Sequence, residues 1–229
     1  KRLDGMRDCL VSLRHVIVSG YSWEQAVPQL LGSLCAFLDW DVAQFWAADA
    51  ERKALHPRHY WHREAAGYEA FREQSVTQTI PMGAGLLGRV WQSGVVAALE
   101  DLSAANDYER ADAAKVIGLK SVVAFPVVEG GAVVGVIELL GNQVRGVLDD
   151  EVTMLSTAGV EIGQFIRRSD VAQALRRSEA DHRAIFERSP IGIVRISSDG
   201  ELVEANPALL SMLEHGFEAM RENAWPDLL

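Results

Sequence analysis

The stretch SVVAFPVVEGGAVVGVIELL, residues 121–140, decides the fold. Ser121 to Val128 and Ala132 to Leu140 are β-branched apolar runs joined at Gly130-Gly131, where a tight hairpin needs positive φ at its central residues. Both faces of each run are apolar, which places the pair at the centre of a sheet covered on two sides. One residue breaks the pattern. Glu138 sits inside an otherwise apolar strand, and burying a charge without a partner is expensive. Two readings follow: it pairs with an arginine or lies near the strand end, or it is the polar contact for a bound small molecule.

Working towards the amino terminus, Val95–Leu99 reads as a short strand, followed by a polar loop at Asp101-Leu102-Ser103 and a helix around Tyr108–Ile117 that Gly118 ends. The glycine-rich turn IPMGAG (80–85) leads into a helix over Leu86–Ser93, with Gly94 at the left-handed cap. Ala65–Gln74 is a short helix. Trp40–Ala47 is a strand with Val42 and Trp46 on one face and Phe45 on the other, and Leu55–His62 is its partner across the polar turn Asp49–Lys53. Ser22-Trp23-Glu24-Gln25 fits the S-x-x-Q capping box of a helix whose buried stripe is Val27, Leu30, Leu31, Leu34 and Leu38. Before it, Met6, Leu10, Leu13 and Ile17 form the seam of a helix that meets a partner helix and ends at Ser19-Gly20.

Working towards the carboxyl terminus, Asp149, Asp150 and Glu151 open a helix with no breaker until Ser189-Pro190. Such a helix runs nearly forty residues. Between Arg167 and Arg188 it carries six arginines against four acids, and Val171, Leu175, Ser178, His182 and Ile185 repeat at helical spacing, a stripe that calls for a partner. Then come a hairpin, Ile191–Ile196 and Glu201–Ala205 around Ser198-Asp199-Gly200, and a short helix over Asn206–Leu213.

The 229 residues carry a formal charge of −10, which disfavours nucleic acid and anionic membrane surfaces as partners. The longest stretch without a formal charge, Gln74–Gly88, contains Pro81 and three glycines, so no membrane segment is expected. A chain that opens on Lys1 with no signal peptide reads as a cytoplasmic fragment or a processed form. Cys9 and Cys35, each in an apolar helical pattern, read as reduced packing residues, not as a disulfide or metal pair.

The order helix, two strands, glycine-rich turn with helix, polar loop, hairpin and long exit helix resembles a GAF domain. The segment from Ile80 to Gly94 is similar to the family's G-x-G-L-x-G-R-V-W-x-S-G, with Asp101-Leu102 as its D-L pair; Phe125-Pro126-Val127 and Gly135-Val136-Ile137-Glu138 are similar to its closing hairpin. The tail Ala184–Ile193, with Asp199-Gly200 and Ala205-Asn206-Pro207-Ala208, resembles the opening of a PAS domain. The resemblance implies an α+β fold, an antiparallel sheet flanked by helices with a partial PAS unit after the exit helix. It divides the chain into an N-terminal helix (1–20), a GAF domain (21–167), a signalling helix (168–183) and the first part of a PAS domain (184–229). Because that last hairpin has only a few elements of its own, the residues after Pro190 are expected to be mobile or to lean on the GAF unit or a second chain.

The resemblance also implies a cavity bordered by Trp46, Tyr60, Trp61, Trp91 and Phe125, with Arg89, Asp101, Asp107 and Glu138 as its ionisable groups. The cyclic-nucleotide signature N-K…F…D-E is only partly met, by Asn142-Gln143 and Asp150-Glu151, which puts that ligand in doubt; the two acids are explained as helix-start residues. A covalent bilin is disfavoured because neither cysteine lies in a pocket loop, and free methionine sulfoxide reduction because the cysteines are not clustered. His56 and His62 lie six residues apart on one strand, about 20 Å at 3.3 Å each, with His59 facing the other way, so they share no metal ion; an axial histidine for haem stays open. His182 lacks the flanks of a kinase phosphoacceptor, and no nucleophile elbow, P-loop or zinc spacing occurs.

The sequence therefore reads as a non-enzymatic bacterial sensor that binds an unidentified small molecule and signals to an output domain outside these residues. Signalling would run through a homodimer of its N-terminal helix (Met6, Leu10, Leu13, Ile17) and exit helix (Val171, Leu175, His182, Ile185). The alternative is a ligand-free module, filled by its own side chains, that only dimerises and spaces.

Overall fold

The computed structural model of the chain describes residues 2–18, 21–51, 53–65, 67–105 and 107–213, the side chains of 2–7, 9 and 104 excepted. The expected helix end at Ser19-Gly20, the side chains of Met6 and Cys9, and residues 214–229 lie outside that description. Contacts divide the chain into a unit ending at Asp170 and a second beginning at Val171.

The first unit is built on a six-stranded antiparallel sheet. Its strands are β1 (Val42–Asp49), β2 (Ala54–His62), β3 (Ile80–Pro81), β4 (Ala97–Leu99), β5 (Ser121–Glu129) and β6 (Ala132–Gly141), in the order β3-β2-β1-β6-β5-β4. The hairpin that decided the fold is therefore at the sheet's centre, with φ of 57° at Gly130 and 85° at Gly131 in its turn. In register, Gln44 of β1 faces Glu138 of β6, which faces Ala124 of β5, while Phe45 faces Ile137 and Ile137 faces Phe125. Alternation then sorts the side chains into two cores.

One core lies beneath α1 (Arg2–Val18), α2 (Trp23–Leu38) and the first half of α6 (Asp149–Arg188), and it buries Phe45, Phe125, Ile137 and Leu139. The Ser22 capping box forms as the sequence implies: Gln25 Oε1 accepts from the Ser22 backbone N–H at 3.1 Å, and Val27, Leu30, Leu31, Leu34 and Leu38 are all buried. The seam of α1 finds its partner in α2 of the same chain. Leu13 is fully buried and Leu10 and Ile17 pack against this core, because the apolar face of α2 is wide enough to meet both the sheet and α1. Arg14 of α1 then pairs with Glu161 of α6 at 2.6 Å.

The other core lies beneath α3 (Tyr68–Val76), α4 (Gly85–Ser93) and α5 (Ala111–Val116), and it buries Val42, Trp46, Phe71, Leu86, Trp91, Tyr108 and Val136. Gly94 ends α4 in the left-handed region, as its position predicts, with φ of 68° and its N–H donating to the Val90 carbonyl.

The long helix α6 spans 40 residues, Asp149 to Arg188. Its first turn is fixed by Glu151, which accepts from the Leu148 N–H at 3.1 Å and from Arg145 at 2.8 Å. Gly159 and Gly163 let its backbone rest on β5. A Cβ at either position would stand 2.0 Å from a backbone oxygen, of Pro126 and Val128 respectively.

In the second unit, β7 (Val194–Ile196) and β8 (Leu202–Ala205) form a hairpin and α7 (Pro207–Leu213) follows. The fully buried Asn206 holds it together: Oδ1 accepts from Ile193 N (2.8 Å) and Leu209 N (3.0 Å), and Nδ2 donates to the Ile191 carbonyl (2.9 Å).

Gly163→Ala is expected to destabilise the first unit by about 1–3 kcal/mol, since the obstructing atom is backbone and cannot rotate away. Urea unfolding monitored by circular dichroism measures it, and an unchanged midpoint would disprove the close approach.

Candidate functional site

The centre of the second core is polar. Glu138 is fully buried, and three donors converge on its carboxylate: Trp46 Nε1–H to Oε1 (2.7 Å), Tyr108 O–H to Oε2 (2.9 Å), and the Arg110 guanidinium to Oε1. Arg110 is equally buried and also donates to Gln44 Oε1 (2.9 Å), Ser75 Oγ (2.5 Å) and the Tyr108 hydroxyl (2.9 Å). The Ser75 hydroxyl in turn donates to the Phe71 carbonyl at 2.7 Å. The guanidinium carbon lies 4.5 Å from the ring centroid of Phe71, 5.1 Å from Trp46 and 5.7 Å from Tyr108.

Each member is placed by its element. Gln44, Trp46 and Glu138 alternate onto this face from the two central strands. Phe71 and Ser75 are one helical turn apart on α3, and Arg110 is the residue that precedes α5. Burial raises the pKa of the Tyr108 hydroxyl, against the pull of Arg110, and raises that of Tyr60 for the same leading cause. Both phenols are held neutral, and both act as hydrogen-bond donors: Tyr60 O–H reaches the Tyr68 carbonyl at 3.0 Å.

Trp46, Tyr60, Trp91 and Glu138 thus share one face. Phe125 and Trp61 do not. Phe125 lies in the core under α1, α2 and α6, and Trp61 packs against the same core, its ring close enough to α2 that a Cβ on Gly32 would meet it at 2.8 Å. Strand parity is the reason, because Phe125 and Trp61 stand in register with Phe45 and Ala43, not with Trp46. The remaining ionisable candidates are peripheral. Arg89 and Asp107 form an exposed ion pair at 2.6 Å, and Asp101 caps a 3-10 turn over Leu102–Ala104 by accepting from the Ser103 N–H at 2.8 Å; hydrogen bonding from Ser103, its side chain first and this backbone N–H second, holds the Asp101 carboxyl below the ordinary range.

The histidines are arranged differently from the simple alternation. A bulge interrupts the pairing of β1 with β2 between Phe45 and Trp46, so that His59 faces Phe45, Pro57 faces Trp46 and His56 faces Ala47. His56 is thereby turned to the face of His59, away from His62, which faces Val42. Among the described residues no cluster of three or more His, Cys, Asp or Glu could hold a metal. Cys35 is on the buried face of α2, on the opposite side of the sheet from Glu138.

Arg110, Tyr108, Gln44, Ser75 and Phe71 escape a reading by motif. The signal for Arg110 was indirect: a charge as deep as Glu138 demands a cation from whatever segment covers it, and the covering segment contains Arg110, Lys115 and Lys120.

A family model described as the GAF domain matches residues 21–167, which is more than half of the chain. The chain belongs to the GAF domain family. A PAS domain model matches residues 180–229. Among solved structures, the free methionine-R-sulfoxide reductase of Neisseria meningitidis, in complex with its substrate, is similar over 73% of this chain and 91% of that one, with a TM-score of 0.60 and 17% identity. The GAF domain of an Acinetobacter phosphoenolpyruvate-protein phosphotransferase covers 76% of this chain and 97% of its own, with a TM-score of 0.58 and 16% identity. The A. aeolicus nlh2 GAF domain in an inactive state covers 73% and 98%, with a TM-score of 0.59 and 15% identity. At these identities the likeness is one of fold. No curated protein matches the chain. The GAF and PAS matches together make this a sensory module of the kind used in signal transduction.

Two predictions follow from the geometry of the GAF unit. Glu138→Leu strands the Arg110 charge in the core and is expected to cost about 3–5 kcal/mol, whereas Glu138→Leu with Arg110→Met recovers most of that loss; thermal unfolding of the single and double variants checks the pair. The second concerns His59, whose pKa is lowered by burial first, with Arg58 adding to the shift and Glu24, 3.0 Å away but largely in solvent, opposing it. The folded state favours the neutral ring, so this stability is complete above the ordinary value of 6.5 and is lost as pH falls below it towards the lower folded value. Melting temperature across that range should fall less steeply in His59→Gln than in the parent chain.

Proposed function

We propose that this chain is the non-enzymatic input module of a bacterial, cytoplasmic signalling protein, and that the face around Glu138 and Arg110 is its small-molecule pocket. The observation that carries this reading is the buried ion pair. A core needs only packing at that position, and replacing such a pair by apolar side chains is often neutral or stabilising, so a charge pair held at the sheet's centre is better accounted for by recognition than by folding. The position of Cys35, buried on the far side of the sheet from Glu138, argues against the reductase chemistry named for one structural neighbour at this pocket.

In this proposal residues 1–20 are the N-terminal helix, 21–167 the sensor, 168–183 the signalling helix and 184–229 the start of a PAS domain. A homodimer joins two copies through α1 and α6. Because Leu13 is committed to its own core, α1 contributes its outer positions Val11 and Val18, and α6 contributes Val171, Leu175, His182 and Ile185, all of them exposed. Ligand binding shifts the population of pocket conformations, and a helix anchored to the sheet carries the change.

The alternative, a dimerising spacer that binds nothing, draws support from one observation, that the Arg110 side chain itself fills the aromatic enclosure. Native mass spectrometry of the whole chain, with an absorption spectrum of the same sample, separates the two. The sensor reading expects a dimer with retained mass that disappears in Glu138→Gln; a dimer of bare polypeptide under all conditions would favour the spacer. Leu175→Asp with Ile185→Asp should convert dimer to monomer without lowering the melting temperature of the GAF unit, and a dimer that persists would remove α6 from the interface.

A further inference from the structure

Three aromatic rings and one carboxylate surround a single cation in this GAF core. Phe71, Trp46 and Tyr108 face the guanidinium of Arg110, and Glu138 closes the enclosure with a full negative charge. Such a constellation selects an organic cation over a neutral or anionic molecule, since the ring faces are electron-rich and the carboxylate supplies charge where water is absent. The chain provides that cation from its own sequence.

Three features mark the occupant as replaceable. The Arg110 Nε is buried and has no hydrogen-bond partner among the described residues, while both oxygens of Glu138 accept at least one bond, so the deficit lies with the occupant and not with the enclosure. Arg110 is carried by the residue before a helix of only six residues, not by a strand of the sheet. Gln44, which accepts from Arg110 Nη1, also lines an open cleft of about 450 Å³ with Tyr60, His62, Glu69 and Arg72. A path from solvent therefore ends on a partner of the occupant. The chain as a whole is at −10, a long-range attraction for cations, while the cleft itself carries Arg58 and Arg72 against Glu69, so selection for a cation rests on the enclosure and not on the cleft.

The geometry points to the enclosure of Trp46, Phe71, Tyr108 and Glu138 as a site for a small guanidinium or alkylammonium compound, which Arg110 occupies in the unliganded chain and vacates when the ligand enters. This rests on the reading of that face as the sensory pocket and names its ligand class. The exchange swaps one cation for another, so Glu138 is never left unpaired. The tethered Arg110 acts as a competitor at high local concentration, and the apparent affinity of the intact chain is reduced by the fraction of time the enclosure stands empty.

The test is isothermal titration calorimetry of the whole chain, Arg110→Ala and the double variant Arg110→Ala with Glu138→Gln, using methylguanidinium chloride against sodium chloride at equal ionic strength. Saturable binding to the parent chain is expected, at least about tenfold tighter in Arg110→Ala and lost in the double variant. If Arg110→Ala is unfolded alone, methylguanidinium should restore its melting transition, because a ligand for the folded state raises its stability. Three results overturn the assignment: a folded Arg110→Ala that binds no methylguanidinium, an unfolded one that the cation does not restore, and binding by Arg110→Ala with none by the parent chain, which makes Arg110 a permanent structural plug. A neutral or anionic molecule retained in native mass spectra and released by Glu138→Gln would overturn the cation class and leave the sensory reading standing; bound methylguanidinium without any effect on output from a longer signalling protein would support the site and remove the sensory reading.

Discussion

The Glu138–Arg110 pair is the constraint around which the GAF unit is arranged. A carboxylate at the centre of a covered sheet cannot be left in a dry interior, and each neighbouring element answers it: β1 with Gln44 and Trp46, α3 with Ser75 and the Phe71 ring, and the segment before α5 with Tyr108 and Arg110. The sheet face beneath α1, α2 and α6 has no comparable demand at its centre. Its members there are Phe45, Phe125, Ile137 and Leu139, whose packing tolerates exchange of similar volumes far better than a charge network tolerates loss of one member.

Much of this architecture was legible in the letters. The Gly130-Gly131 turn between two β-branched runs fixed the central hairpin, the Ser22 capping box fixed the start of α2, and the acids at 149–151 with the run up to Ser189-Pro190 gave α6 almost to the residue. These signals are local, because each depends on residues a few positions apart. Glu138 could be singled out for the same reason, as a charge inside its own strand.

What could not be read was long-range. Arg110 looks like a surface arginine in a polar loop, and only the 28 residues of separation closed by the fold make it the partner of Glu138. The bulge between β1 and β2 has no signature in the letters, yet it turns His56 over to the face of His59. Phe125 and Trp61 have the aromatic character and the strands of pocket residues, whereas the register to Phe45 and Ala43 sends them to the other core. The α1 seam was a true seam, but apolar spacing cannot say whether its partner belongs to the same chain or another.

The contact of α6 with β5 limits how motion can leave the sheet. At Gly159 and Gly163 the helix lies directly on the carbonyls of Pro126 and Val128, with no side chain between to act as a bearing. A shift of one turn along the helix axis would bring the Cβ of Leu155 against the Pro126 oxygen or that of Arg167 against the Val128 oxygen. Sliding is therefore blocked by hard contact, and the first half of α6 must travel with β5 as a single body. In the proposed signalling module, such a contact turns displacement of the strand into reorientation of the helix and suits a lever, not a piston.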